Sequence, residues 1–202
     1  MRTLRRRPLI ALVSVLVVAF FALPLIGLLR RTPWSDLVEN MSTPEARSAL
    51  ELSLGTSLAA ATLSVLGGMP LAWLLARVEF RGRALVRALV LLPLVLPPVV
   101  GGVALLSAFG RRGFPGSWLY DTFGLQFTFT PAGVVLAETF VALPFFVITM
   151  EAALRSADRR LEDVAATLGA RPPVVFRRVT LPMVAPAAIA GAVLSWARAL
   201  GE

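Results

Sequence analysis

Between Leu9 and Leu29 the chain runs for 21 residues without a charged side chain, and four similar runs follow at Leu52–Ala76, Ala88–Gly110, Pro131–Met150 and Leu181–Gly201. Only Glu138 and Arg198 interrupt them. A hydrocarbon layer of about 30 Å takes about 20 apolar helical residues to cross. A helix in a soluble core keeps a polar face, and these runs leave none. Composition agrees: of 202 residues, 57% are hydrophobic and 16% charged, too few polar groups to clothe a soluble surface. The sequence therefore predicts an all-α fold, a polytopic transmembrane helical bundle of five spans at about 9–29, 52–76, 88–110, 131–150 and 181–201, in one transmembrane domain. The first run follows Arg2, Arg5, Arg6 and Arg7 as a signal peptide would. It outlasts the 7–15 apolar residues of such a signal and continues past Pro24 to Arg30-Arg31, so it reads as an uncleaved anchor.

Three absences prune the chemistry. Without cysteine or histidine there is no thiolate nucleophile, no Ser-His-Asp triad and no ordinary zinc site. All 20 basic residues are arginine, so a P-loop lysine is missing too. Neither a catalytic nor a metal site is expected, nor a cofactor. The net charge of +8 could suggest nucleic acid, but its distribution suggests membrane topology. With the N-terminus inside, the inner segments hold Arg2, Arg5, Arg6, Arg7, Arg77, Arg81, Arg83, Arg87, Arg155, Arg159, Arg160, Arg171, Arg177 and Arg178, against Arg30, Arg31, Arg47, Arg111 and Arg112 outside. Arginine concentrates on the cytoplasmic side. The expectation is a cytoplasmic N-terminus, lipid as a partner and no nucleic acid.

Prolines lie in or at the start of the apolar runs, most densely in Leu92–Gly102, where Pro97 and Pro98 precede Gly101 and Gly102. Each interior proline frees a carbonyl, which in a bilayer must be buried against protein or line a watery cavity. Packing kinks and a pore-lining role both satisfy that. Of the two inner loops, 77–87 is a short basic connector, whereas 151–180 reads as helix, turn, helix. Ser156-Ala-Asp158 offers an N-cap; Leu161, Val164, Ala165 and Leu168 form one apolar stripe; Gly169 stops the helix. Asp158, Glu162 and Asp163 make the other face acidic, which suits a protein groove better than anionic lipid.

At these residues the chain resembles the membrane subunits of bacterial ABC importers. Their cytoplasmic signature is Glu-Ala-Ala, three residues, Gly, nine residues, then Ile, any residue, Leu-Pro. Here Asp163-Val164-Ala165, three residues and Gly169 are followed after nine more by Val179-Thr180-Leu181-Pro182. From Leu91 onward a finer resemblance appears, to the molybdate permease branch of the sulfate/molybdate group, in Leu92–Val100, Phe109-Gly-Arg-Arg-Gly113, Phe127-Thr-Phe-Thr130 and Ala197-Arg-Ala-Leu-Gly-Glu202.

The resemblance implies the small importer permease fold in a prokaryotic inner membrane. It implies import of molybdate or tungstate, with sulfate or thiosulfate as the alternative anion. Loop 151–180 becomes the coupling loop, docking through Leu161, Asp163, Val164, Ala165, Leu168, Gly169, Leu181 and Pro182 into a separate ATP-binding cassette subunit, which holds the Mg-ATP, with Arg155, Arg159 and Arg160 as its rim. It also implies a homodimer and a periplasmic or lipid-anchored oxyanion-binding protein, met in part by the outer loop 111–130. Pro97, Pro98, Gly101, Gly102, Glu138 and Arg198 are the candidates for the path. Glu138 and Arg198 have similar computed depths, so a structural ion pair between them is expected, the alternative being that Arg198 attracts the anion. Family members carry a sixth span, so the run ending at Glu202 is expected to be a chain truncated at its C-terminus. The rival class, a secondary transporter or channel without ATP, would need more intramembrane titratable groups than Glu138.

Overall fold

Proline placement decides where the apolar runs stay straight. The computed structural model describes residues 8–202; Arg2, Arg5, Arg6 and Arg7, part of the inside charge count, lie outside them. The helices are α1 (Pro8–Arg31), α2 (Trp34–Met41), α3 (Pro44–Arg77), α4 (Arg83–Val95), α5 (Pro98–Phe109), α6 (Phe114–Phe123), α7 (Pro131–Ser156), α8 (Arg159–Thr167) and α9 (Pro172–Val175), then a π-helical turn at Phe176–Thr180 and α10 (Leu181–Leu200). Among the described residues there is no strand. Four helical stretches are long and apolar enough to cross a membrane: Ile10–Arg31, Pro44–Arg77, Pro131–Ser156 and Pro172–Leu200.

The expected 88–110 span falls on two helices, α4 and α5, bent by 120° across Leu96–Pro97. Leu96 is extended because the following proline disfavours the helical region for it. Pro97 and Pro98 bring no N–H donors, so the ladder breaks there rather than merely kinking. By contrast Pro24, Pro70, Pro144 and Pro186 sit inside helices that continue. The helices also outrun the apolar stretches, α3 beginning at Pro44 and α7 reaching Ser156, since polar side chains extend a helix as readily as apolar ones. The expected second element of the 151–180 loop is not separate from the last span: Pro172–Leu200 is one helical run through the π turn. There Leu181 N–H bonds to the Phe176 carbonyl five residues back, a register adopted just before Pro182, which has no N–H to give.

The chain divides into two compact units, Met1–Leu50 and Glu51–Glu202. In the first, α1 exposes apolar side chains on every side, Val15, Phe20, Phe21 and Leu23 among them, as a lipid-facing helix does. In the second, α3, α7 and α10 pack around Phe146, which is fully buried. A Cβ at Gly68 of α3 would stand 2.7 Å from Phe146 Cδ1, and one at Gly191 of α10 would stand 3.2 Å from Cδ2. The two glycines therefore form the slot that admits the ring, the small-residue packing expected where lipid offers helices no hydrophobic drive.

Polar contacts fix the directions of these helices. Thr56 Oγ1 donates to Glu138 Oε1 at 3.1 Å, and the far end of α3 meets the far end of α7 through Arg155 Nη2, which donates to the Leu75 carbonyl at 3.3 Å. So α3 and α7 run parallel. Ser195 Oγ donates to the Ala142 carbonyl at 3.1 Å, and Trp196 Nε1 to Ser57 Oγ at 3.2 Å, which sets α10 antiparallel to both. The chain leaves α3 at the arginine-rich end and enters α7 at the other, so the segment containing α4 and α5 carries it across despite the bend.

Candidate functional site

At the arginine-rich end, two carboxylates organise the cations. Glu151 of α7 receives Arg87 and, at 2.8 Å, Arg155. Arg83 and Arg155 also donate to the Leu75 carbonyl, one of the last four of α3 that lack helical partners. Arg83 and Arg87, expected only as topology signals, and Arg155, expected as a docking rim, thus brace helix ends.

The second carboxylate is Glu162. Its Oε1 lies 2.8 Å from Arg77 Nη2 and accepts from Thr180 Oγ1 at 2.9 Å. Arg77 is only 7% exposed at its side chain and Glu162 18%. Arg77 lies 5.8 Å over the Trp73 ring, which meets Phe176 edge to face at 5.4 Å. Glu162 therefore faces the bundle and is not part of a solvated acidic face, as the sequence suggested. A helical pattern gives the angle between Glu162 and Leu161, but not which of them turns toward the rest of the chain.

Local rules build the rest of α8. Asp158 caps it by accepting from Arg160 N–H at 3.0 Å. At the other end Ala170 N–H bonds to the Ala165 carbonyl and Gly169 N–H to Ala166, a Schellman closure that puts Gly169 at φ +86°. With Glu162 inward, the apolar stripe points out: Leu161 is 52% exposed, Val164 56% and Leu168 83%. Ala165 is half-buried, and Asp163 and Gly169 are exposed. Leu181 and Pro182, the end of the motif, sit at the start of α10, away from that stripe. An amphipathic helix with its apolar face turned outward offers a surface for another chain.

Within the span region a cavity of about 290 Å³ opens at the α4–α5 break, lined by Pro97, Pro98, Gly101, Gly102 and Arg198 together with α7. The bend thus gathers every expected path residue except Glu138. Ser195 meets Ala142, so Arg198 and Glu138 each lie about one turn further toward the same end, at the matching depth expected. They face apart. Arg198 Nη2 pairs with Glu202 at 2.6 Å, one turn on, while Glu138 is turned to Thr56 of α3 and its Oε2 has no partner among the described residues. The expected Glu138–Arg198 ion pair does not form. Depth follows from residue counts, but rotation about the helix axis follows from packing. In the loop after α5, Arg111 lies 5.0 Å over Tyr120 and donates to Gln126 at 2.9 Å.

The family described as binding-protein-dependent transport system inner membrane component matches residues 68–202. The chain is 49% identical over 185 residues to the molybdenum transport system permease protein ModB of Mycobacterium bovis, covering 92% of this chain and 70% of that one. To the protein of that name from Escherichia coli it is 46% identical over 162 residues, 80% and 70% of the two chains. A probable sulfate transport system permease protein, cysT of Nephroselmis olivacea, is 38% identical over 195 residues, 95% and 68%. A crystal structure of a bacterial ABC transporter involved in the import of the acidic polysaccharide alginate shares the fold with a TM-score of 0.69, over 98% of this chain and 75% of that one, at 20% identity.

Proposed function

This chain belongs to the family of binding-protein-dependent transport system inner membrane components, and from that membership we propose that it is the membrane-spanning subunit of an ATP-driven importer of molybdate or tungstate. Relatives named for molybdenum transport share 46–49% of their residues with it, and those named for sulfate 38%, which favours the larger oxyanions. The relatives are transport permeases rather than enzymes, and membership implies an ATP-binding subunit and a substrate-binding protein as partners.

The observation that carries the coupling half of this reading is the outward stripe of α8. Leu161, Val164 and Leu168 would fill a groove on the ATP-binding subunit at the cytoplasmic face, with the N-terminus on that side. Asp163 and Gly169 would flank the contact, with Ala165 beneath it, and Leu181 and Pro182 would start the span that the docked loop moves. No cofactor would be held by this chain; Mg-ATP belongs to the partner. ATP-driven closure of that partner would carry α8 with it and shift the bundle between inward-open and outward-open states.

The anion would pass along the cavity at the α4–α5 break, completed by a second copy of the chain. Arg198 supplies the positive charge there, paired with Glu202, which lines the same cavity. A guanidinium gives a tetrahedral dianion two parallel N–H donors, and an arriving anion would compete with Glu202 for them. Val99 and Val100, in the first turn of α5 beside the same cavity, have N–H groups without intrahelical partners, which add a weaker attraction. Glu138, turned away toward Thr56, would serve packing instead.

The test is uptake of radiolabelled molybdate by the assembled transporter in vesicles. Tungstate should compete at similar concentration and sulfate only at large excess. Arg198→Ala should cut uptake by about tenfold or more with a normal melting temperature, and Arg198→Lys should restore part of it. Sulfate competing as well as tungstate would refute the substrate assignment, and full uptake by Arg198→Ala would remove Arg198 from the path.

A further inference from the structure

We infer that Glu162 is the positioning residue through which movement of α8 is passed to the membrane helix α3, a strut rather than a part of the docking face. The inference rests on the reading of α8 as the docking helix.

The geometry is specific. The covalent connections of α8 lead to α7 through the extended Ala157 and to α9 through the Gly169 turn. Neither leads to α3. Between α3 and α8 lies a cavity of about 660 Å³, with Met69, Pro70 and Trp73 on one side and Ala166 and Ala170 on the other. Packing there is open, and a push on α8 would not travel through touching side chains. Glu162 bridges the gap. One carboxylate oxygen holds Arg77, 85 residues earlier on α3, and Thr180, 18 residues later at the head of α10. Among the described residues no other hydrogen bond or ion pair joins α8 to α3.

Charge makes the strut stiff. Thr180 is fully buried and Arg77 nearly so, and Arg77 Nε has no partner among the described residues, so Glu162 is the one carboxylate paired with that guanidinium. Charge-assisted bonds in such surroundings are short and strong. Removing one member of a buried pair leaves the other charge stranded, which costs far more than an exposed pair would. Ala166 and Ala170, across the cavity from Met69 and Trp73, are too small to provide a second grip.

The experiment uses the complete transporter in vesicles and reads anions imported per ATP hydrolysed, along with co-purification of the ATP-binding subunit. Glu162→Gln should lower the transport-to-hydrolysis ratio by at least about tenfold, while the ATP-binding subunit still co-purifies, since Leu161, Val164 and Leu168 are untouched. Reversing the pair with Glu162→Arg and Arg77→Glu should recover a substantial part of the ratio. Thr180→Val, which keeps the ion pair and removes only the hydrogen bond that steadies the Glu162 carboxylate against Arg77, should lower the ratio by a smaller factor at a normal melting temperature, and decides the matter if Glu162→Gln does not fold. An unchanged ratio in Glu162→Gln or Thr180→Val overturns the inference, as does proportional loss of docking and transport. A wild-type assembly that neither binds the ATPase nor imports anion refutes the functional reading instead.

Discussion

Gly169 separates two roles that a turn glycine could play, because its backbone and its surroundings make different demands. At φ +86° an L-residue is strained, while a Cβ built there meets nothing within 4 Å. Within this chain the penalty for a side chain is therefore conformational, about 1–2 kcal/mol, and the same for alanine as for tryptophan. Asparagine, which tolerates the left-handed region, should cost less. If α8 docks only with the Schellman turn closed, 1–2 kcal/mol lowers the closed-to-open ratio roughly 5–30-fold and the competent population by at most that factor. Titration of the purified ATP-binding subunit onto detergent-solubilised chain should then show Gly169→Ala binding more weakly, by up to about 5–30-fold, and Gly169→Asn recovering most of that. Gly169→Trp should melt like Gly169→Ala yet bind more weakly still, because its ring meets the partner. Equal binding by the tryptophan and alanine variants would place Gly169 outside the interface. Wild-type binding by Gly169→Ala would refute the need for the turn.

Asp158→Ala removes the acceptor for Arg160 N–H and should destabilise the nine-residue α8 by about 1 kcal/mol, read as faster hydrogen exchange over 159–167 without change in α7. In the slot around Phe146, Gly68→Ala should cost about 1–3 kcal/mol by overpacking. Gly67→Ala, whose Cβ would stand 3.9 Å from Leu143, should be neutral or stabilising by up to about 1 kcal/mol; unfolding in mixed micelles compares them, and equal stabilities would contradict the packing described. Thr56→Val strands a buried carboxylate at Glu138 and should lower stability by about 1–3 kcal/mol, with Thr56→Val/Glu138→Gln recovering part of it.

Periodicity and turn chemistry made a good deal of this chain legible. Runs with at most one charge marked the helices α1, α3, α7 and α10, because an apolar stretch that long in a bilayer has to satisfy its backbone as a helix. Asp158 and Gly169 delimited α8 because capping is decided by a few adjacent residues. The Pro97-Pro98 pair announced a break but not its 120° angle, since removing hydrogen bonds permits a bend whose size is then set by what α5 packs against. The helices extend past the apolar runs because polarity ends only the hydrocarbon-compatible part of a helix, not the helix itself.

The site divides along the same line. The stripe Leu161, Val164, Ala165 and Leu168 could be read as a face, yet its outward direction depends on Glu162 finding Arg77, a contact across 85 residues that no local pattern encodes. A one-turn pair such as Arg198–Glu202 is readable in sequence, and it competes with any longer-range pairing of Arg198 because its partner is already in reach. Glu138 illustrates the converse. Its depth matched that of Arg198, but α3 and not α10 lies against its face, and Thr56 supplies a donor there. An intramembrane charge therefore has two coordinates, depth and azimuth. Only the first can be counted along the chain, and the second separates the cation beside the cavity from the carboxylate buried in the packing.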